Sequence, residues 1–193
     1  QFSGDGRIYT DIALYYSLAG RHDDAVAAAR AAIQLLPNEA QGYSNLCRAY
    51  NGVGSFEMAV SACNHSLQLR PGDGDANYYL GNALASLKRD AEATRAYSNA
   101  VMGLVESTAK NPDQPESWYL LGNAYFADRQ YDKAIESYQK SLSISPKFLN
   151  ARVNLGISYT RKKNKAAATE QYNMLLAVDP ALAARVKAEI DNM

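Results

Sequence analysis

The chain has little of what most functional classes need. Its 193 residues hold two cysteines, Cys47 and Cys63, too few for a disulfide scaffold and without histidine at metal-ligand spacing. They leave the redox compartment open. Neither sign of charge is in excess, since 20 Lys and Arg balance 20 Asp and Glu, so no net field draws the chain to nucleic acid or an anionic membrane. No apolar run approaches the ~20 residues of a membrane span, because Arg, Asp, Lys or Asn interrupts each one within a few positions, which excludes direct membrane insertion. The opening Gln1-Phe2-Ser3-Gly4-Asp5-Gly6 lacks a Met and a basic-then-apolar signal, as expected of an excised or processed piece. Catalytic motifs are missing as well. No Ser, His and Asp set, paired catalytic carboxylates, P-loop or dinucleotide-binding glycine motif stands in a suitable context, so neither intrinsic catalysis nor a cofactor is expected.

What is present is a repeat. Tyr9, Ile12, Ala13, Tyr16, Ala25, Ala29, Ala32 and Pro37 recur 34 residues later as Tyr43, Leu46, Cys47, Tyr50, Ala59, Cys63, Ser66 and Pro71. Asn77, Leu80, Gly81, Leu84, Ala93, Tyr97 and Ala100 follow at the same interval, then Trp118, Leu121, Gly122, Tyr125, Ala134, Tyr138, Ser141 and Pro146, and lastly Arg152, Leu155, Gly156, Tyr159, Ala168, Tyr172, Leu175 and Pro180. The five copies span 6–39, 40–73, 74–107, 115–148 and 149–182. Within each, the early positions follow the i, i+3, i+4, i+7 spacing of an apolar helical stripe, and the later ones form a matching stripe on a second helix. Each copy is therefore a helical hairpin. Gly81 with Ala93, and Gly122 with Ala134, would let the two backbones approach closely. Gly20 and Gly54 mark the turn in the first two copies, Asp23, Glu57 and Asp132 suit the start of a second helix, and Pro37, Pro71, Pro146 and Pro180 would stop it.

The large residue, Leu-Gly, Tyr, Ala, aromatic, Ala, Pro pattern resembles the tetratricopeptide repeat over residues 6 to 182. That resemblance implies an all-α, right-handed superhelix of stacked hairpins in a single domain, with the first helices lining a concave groove. It further implies a non-catalytic scaffold that binds a polypeptide or helix in that groove. Two other uses are a partner-recruiting domain of a larger enzyme, such as a glycosyltransferase, and a scaffold that self-associates into homo-oligomers through its first hairpin.

The pattern is broken in three places. Copies three and four lie 41 residues apart, and Val105 stands where the closing proline would fall. The surplus of seven is almost two helical turns. The second helix of copy three should thus run on and protrude near 104–110, before the insertion 108–114 ends at Pro115; it is either an extra contact surface or a tolerated insertion. Beyond residue 182, Leu182, Val186, Ile190 and Met193 continue a stripe expected of a capping helix at 183–193. The polar tail 1–5 offers no such cap at the start.

By the family's groove positions, the candidate contacts are Arg48, Asp75, Tyr78 and Asn82 in copies two and three, and Glu116, Tyr119, Asn123 and Phe126 in copy four. Tyr78 with Asn82 and Tyr119 with Asn123 repeat one i, i+4 pair, whose phenol and two-way amide suit an extended backbone or an apolar helix. The carboxylate clamp of some family members is not met, since its places hold Thr10, Leu14, Asn45, Asp75 and Tyr79. Asp75 and Glu116 favour a neutral to basic ligand over a C-terminal carboxylate tail. Cys47 and Cys63 face each other across one hairpin, so a disulfide is conceivable, but buried reduced thiols are the expectation. His22 and His65 read as surface residues that cannot converge on a metal.

Overall fold

A computed structural model describes residues 5–193; of the tail expected to lack a cap, residues 1–4 lie outside the described residues. The described chain is helical throughout, with α1 Gly6–Leu18, α2 His22–Leu35, α3 Ala40–Gly52, α4 Phe56–Leu69, α5 Gly74–Ser86, α6 Asp90–Lys110, α7 Pro115–Ala127, α8 Tyr131–Ile144, α9 Leu149–Arg161, α10 Lys165–Leu176 and α11 Pro180–Asp191. They group into two compact units, one ending at Gly103 and the other spanning Leu104–Met193.

The hairpin turns share one geometry. Each has a single left-handed residue, Gly20, Gly54, Lys88, Arg129 or Lys163, with φ between 57 and 77°. The next amide reaches back five residues, as in Arg21 to Tyr16, Ser55 to Tyr50, Arg89 to Leu84, Gln130 to Tyr125 and Asn164 to Tyr159, at 2.8 to 2.9 Å. This is the Schellman closure, which satisfies the last helical carbonyls. Glycine adopts it without strain in the first two turns. In the other three a cation bears a left-handed cost of roughly 1–2 kcal/mol, so the turn there is imposed by packing of the two helices it joins.

In the first unit, α1, α3 and α5 lie side by side, with α2 packed on α1, α4 on α3, and Tyr97 of α6 against Gly81 and Asn82 of α5. The core holds Ala13, Ala25, Ala29, Cys47, Ala59 and Cys63, all fully buried. In the second unit, Ala134, Tyr138 and Leu155 form one cluster, and Val153, Ala168, Leu175, Val186 and Ile190 another. Of the glycines at the Leu-Gly places, Gly81 and Gly122 lie against a tyrosine ring of their own hairpin and Gly156 against Val186 of α11. A Cβ on Gly81 would stand 2.5 Å from the Tyr97 ring, and one on Gly122 the same distance from that of Tyr138.

Helices α2, α4 and α8 end two residues before Pro37, Pro71 and Pro146, where the ring forbids continuation. Pro180 behaves differently from expectation. It does not stop α10, which ends at Leu176; it opens α11 at the first helical position, where its fixed φ is favourable, behind an Asp179 side chain that accepts from Ala181 and Leu182 at 3.0 Å. Helix α11 covers the last hairpin with Ala183, Val186 and Ile190, whereas Met193 is exposed.

Helix α6 does continue to Lys110, 21 residues against 14 in α2, α4 and α8. The expected protrusion is corrected. Leu104 and Thr108 are 1% and 3% exposed, so the extra turns pack one face inward instead of standing free.

Candidate functional site

The first unit assembles four of the candidate residues on neighbouring first helices. Arg48 on α3 donates through Nε to the Tyr79 hydroxyl on α5, and its guanidinium stands 4.8 Å from that ring's centroid. Burial pulls the guanidinium pKa down, but Tyr79 and then Asp75 outweigh it, so the net shift is upward and Arg48 stays charged. Tyr78 meets Tyr79 edge-on at 5.2 Å and leans on Tyr97 at 6.2 Å. Asn51 donates to the Tyr79 carbonyl at 3.0 Å, tying α3 to α5. Asn45 does the same work between α3 and α1, donating to the Thr10 carbonyl at 2.8 Å.

Asp75 lies in the first turn of α5, next to Asp73, whose side chain caps that helix at the Ala76 amide. Burial first, and the Asp73 carboxylate second, push the Asp75 carboxyl up to about 6, against the pull of Arg48 and Arg70. The folded state therefore holds this proton more tightly than the unfolded chain, and stability falls as pH rises from the ordinary value of 3.8 through about 6. Asp75→Asn should flatten that slope and raise stability at pH 7 by on the order of 1–3 kcal/mol. Urea unfolding between pH 4 and 7.5 reads both effects; an unchanged slope would remove Asp75 as the cause.

The amides have a structural half. Asn82 accepts from the Tyr97 hydroxyl at 3.0 Å, and Asn123 from that of Tyr138 at 2.8 Å. Each bond crosses one hairpin and holds the ring that lies over the adjacent glycine. Asn123 also accepts from Asn154 of the next hairpin at 2.8 Å. In both cases it is the oxygen that the scaffold uses; Asn82 is half-buried, whereas Asn123 is only 9% exposed.

The second unit places its four candidates less closely. Tyr119 packs on Phe148 at 4.9 Å and on Tyr138 at 6.1 Å, and its hydroxyl accepts from Asn154 at 3.5 Å. Phe126 turns toward the hairpin end, edge-on to Tyr131 at 5.3 Å, within the Tyr138 cluster. Glu116 is exposed in the first turn of α7. Tyr119 and Asn123 thus share a face with Asn154, with Phe126 packed into its own hairpin. Sequence reading missed the anchoring of both amides by tyrosines; the signal available was Tyr97 and Tyr138, each 15 residues after its asparagine.

One further expectation is corrected and another holds only in part. Cys47 and Cys63 are joined in a disulfide between α3 and α4, with Cα atoms 5.1 Å apart, instead of being reduced. His22 is half-buried at the start of α2, its Nδ1 sealed beneath Gly52 with no hydrogen-bond partner among the described residues, whereas His65 is exposed and stacks at 5.2 Å on Tyr43. Among the described residues no group of His, Cys, Asp and Glu could hold a metal, and no helix is long and apolar enough to cross a membrane.

Antiparallel helix pairs, repeated with one turn geometry and small residues at the crossings, define a helical-repeat protein of the superhelical all-α class. Residues 6–39 and 115–148 each match the tetratricopeptide repeat model, and the chain belongs to the tetratricopeptide repeat family. It is accordingly a protein-interaction scaffold. The solved structure of TTC0263, a thermophilic tetratricopeptide protein from Thermus thermophilus, superposes with a TM-score of 0.72 at 19% identity, covering 96% of this chain and 99% of that one. That of YrrB, a tetratricopeptide protein with an unusual peptide-binding site, gives 0.56 at 21% identity, covering 97% and 94%. An 81-residue stretch is 28% identical to the UDP-N-acetylglucosamine--peptide N-acetylglucosaminyltransferase of Giardia intestinalis; it covers 42% of this chain and spans 6% of that enzyme's length.

Proposed function

We propose that the first-helix faces of each unit by itself bind extended polypeptide of neutral to basic character, at Arg48, Asp75, Tyr78 and Asn82 in the first unit and at Glu116, Tyr119, Asn123 and Phe126 in the second. The observation that carries this is the repeated amide. The oxygens of Asn82 and Asn123 accept from Tyr97 and Tyr138, which would leave the NH2 of half-buried Asn82 as a donor for a peptide carbonyl, with Asn123, 9% exposed, contributing from deeper in the face. Tyr78 and Tyr119 stand one turn before them and add rigid apolar area at low entropic cost. Asp75 and Glu116 add negative charge that repels a terminal carboxylate. The similarity in fold to YrrB agrees with a peptide ligand.

A second reading is a recruiting segment within a larger enzyme, favoured by the likeness to part of the Giardia glycosyltransferase. Self-association is the third. An array of neutral, basic and acidic extended peptides separates these from the first. The wild-type chain should retain neutral and basic peptides, and a Tyr78→Ala, Tyr119→Ala variant that still melts cooperatively should lose them about tenfold or more. Equal retention by both proteins would remove the groove assignment.

A further inference from the structure

The seven extra residues build something the other hairpins lack. Starting at Asp90, a second helix of the usual 14 residues would end at Gly103. The surplus turns instead line a pocket of about 650 Å3 that lies wholly within the second unit, where Ala109 and Pro112 join Trp118 and Tyr125 of α7. Such a volume suits one or two large side chains.

The interior asks for an apolar guest. Trp118 Nε1 donates to the Pro112 carbonyl at 2.8 Å, the Thr108 hydroxyl to the Leu104 carbonyl at 3.0 Å, and the Ser137 hydroxyl to the Lys133 carbonyl at 2.8 Å. Every polar group on the pocket wall named here is thus satisfied within the chain, and an apolar group can enter without stranding a donor. Leu121 closes the floor. The rim is cationic, with Lys133 and Lys140 against Glu136. Lys133 Nζ sits 5.4 Å from the Tyr125 ring centroid. Lys140 makes no ion pair among the described residues, so its ammonium is available to a carboxylate from outside.

We propose that this pocket is a second binding site, which takes an aromatic or branched apolar side chain carried by an acidic segment of a partner protein. Its preference is opposite in sign to that of the Asp75 face. The scaffold can therefore hold two segments of different chemistry without their competing. The anchor would stack between Trp118 and Tyr125, and the acidic flanks would meet Lys140 and Lys133.

Trp118 is the sole tryptophan of the chain, so its fluorescence reports this pocket directly. The probes are three capped five-residue peptides, namely an acidic one with a central phenylalanine, the same peptide with alanine at the centre, and a lysine-flanked phenylalanine peptide. The acidic phenylalanine peptide should shift Trp118 emission saturably below about 1 mM, and the other two should bind about fivefold or more weaker. Ala109→Phe, at an exposed position that would fill the pocket, should abolish the shift, and Lys140→Glu, also exposed, should weaken it about fivefold. Both variants should melt like the wild type. No saturable shift, or a shift unmoved by Ala109→Phe, would overturn the site; equal affinity for the lysine-flanked peptide, or none lost in Lys140→Glu, would overturn its acidic partner.

Discussion

Gly122→Ala should lower the unfolding free energy by about 1–3 kcal/mol, although alanine is the better helix former by ~1 kcal/mol. The added Cβ would stand 2.5 Å from Cε1 and 2.6 Å from Cδ1 of Tyr138. That ring is 1% exposed, packed among Ala134 and Leu155, and tethered through its hydroxyl to Asn123 at 2.8 Å. It has nowhere to go, so either the ring loses its hydrogen bond or α7 moves off α8. Gly81→Ala offers the control, because its Cβ would meet Tyr97 at the same 2.5 Å, but that ring is only half-buried and can swing outward. The cost there should be smaller, near zero once helix propensity is added. Urea unfolding of the two variants beside the wild type measures the difference; equal effects, or a Gly122→Ala protein as stable as the parent, would show that ring confinement does not set the cost.

Removing the Cys47–Cys63 disulfide should destabilise the protein by about 2–4 kcal/mol. The bond closes a loop across a sequence separation of 16, joining α3 to α4 at two fully buried positions. A loop of that length restricts the unfolded chain by roughly 3 kcal/mol in the chain-entropy treatment. Cys47→Ala with Cys63→Ala leaves no polar atom in the core, so its loss is mainly the crosslink with a small packing deficit. Dithiothreitol should lower the melting temperature of the wild type toward that of the double variant and leave the variant unmoved. Identical wild-type melts with and without reductant would mean that the crosslink contributes nothing to stability.

Much of the architecture is legible because helical periodicity is a local property. Apolar residues at i, i+3 and i+4 define a buried stripe on one helix irrespective of what lies beyond it. Five copies in phase then leave stacked hairpins as the arrangement that buries every stripe. The first residues of α1, α3, α5, α7 and α9 fall at the starts of the copies for that reason. The length of α6 was legible too, since Val105 replaced a proline and seven residues preserve helical phase. Turns were read only where glycine announced them. Lys88, Arg129 and Lys163 adopt the same conformation with no sequence sign, because two packed helices leave the chain between them a single route.

The candidate surface was legible as a set of residue types and no further. That Tyr78 with Asn82 and Tyr119 with Asn123 recur is visible in one dimension. That each asparagine spends its oxygen on a tyrosine 15 residues away depends on distances across a helix pair. The same holds for the thiols and for the inward turn of Leu104 and Thr108. Sequence by itself determined the helices, their count in each copy, their buried faces and the family. Only the tertiary structure decided which polar groups are already satisfied, which cysteines meet, and that an insertion folds back into a pocket. The reason is physical: stripe formation needs information from within one helix, whereas partnering needs the angle and spacing between helices, and those emerge only when side chains interlock.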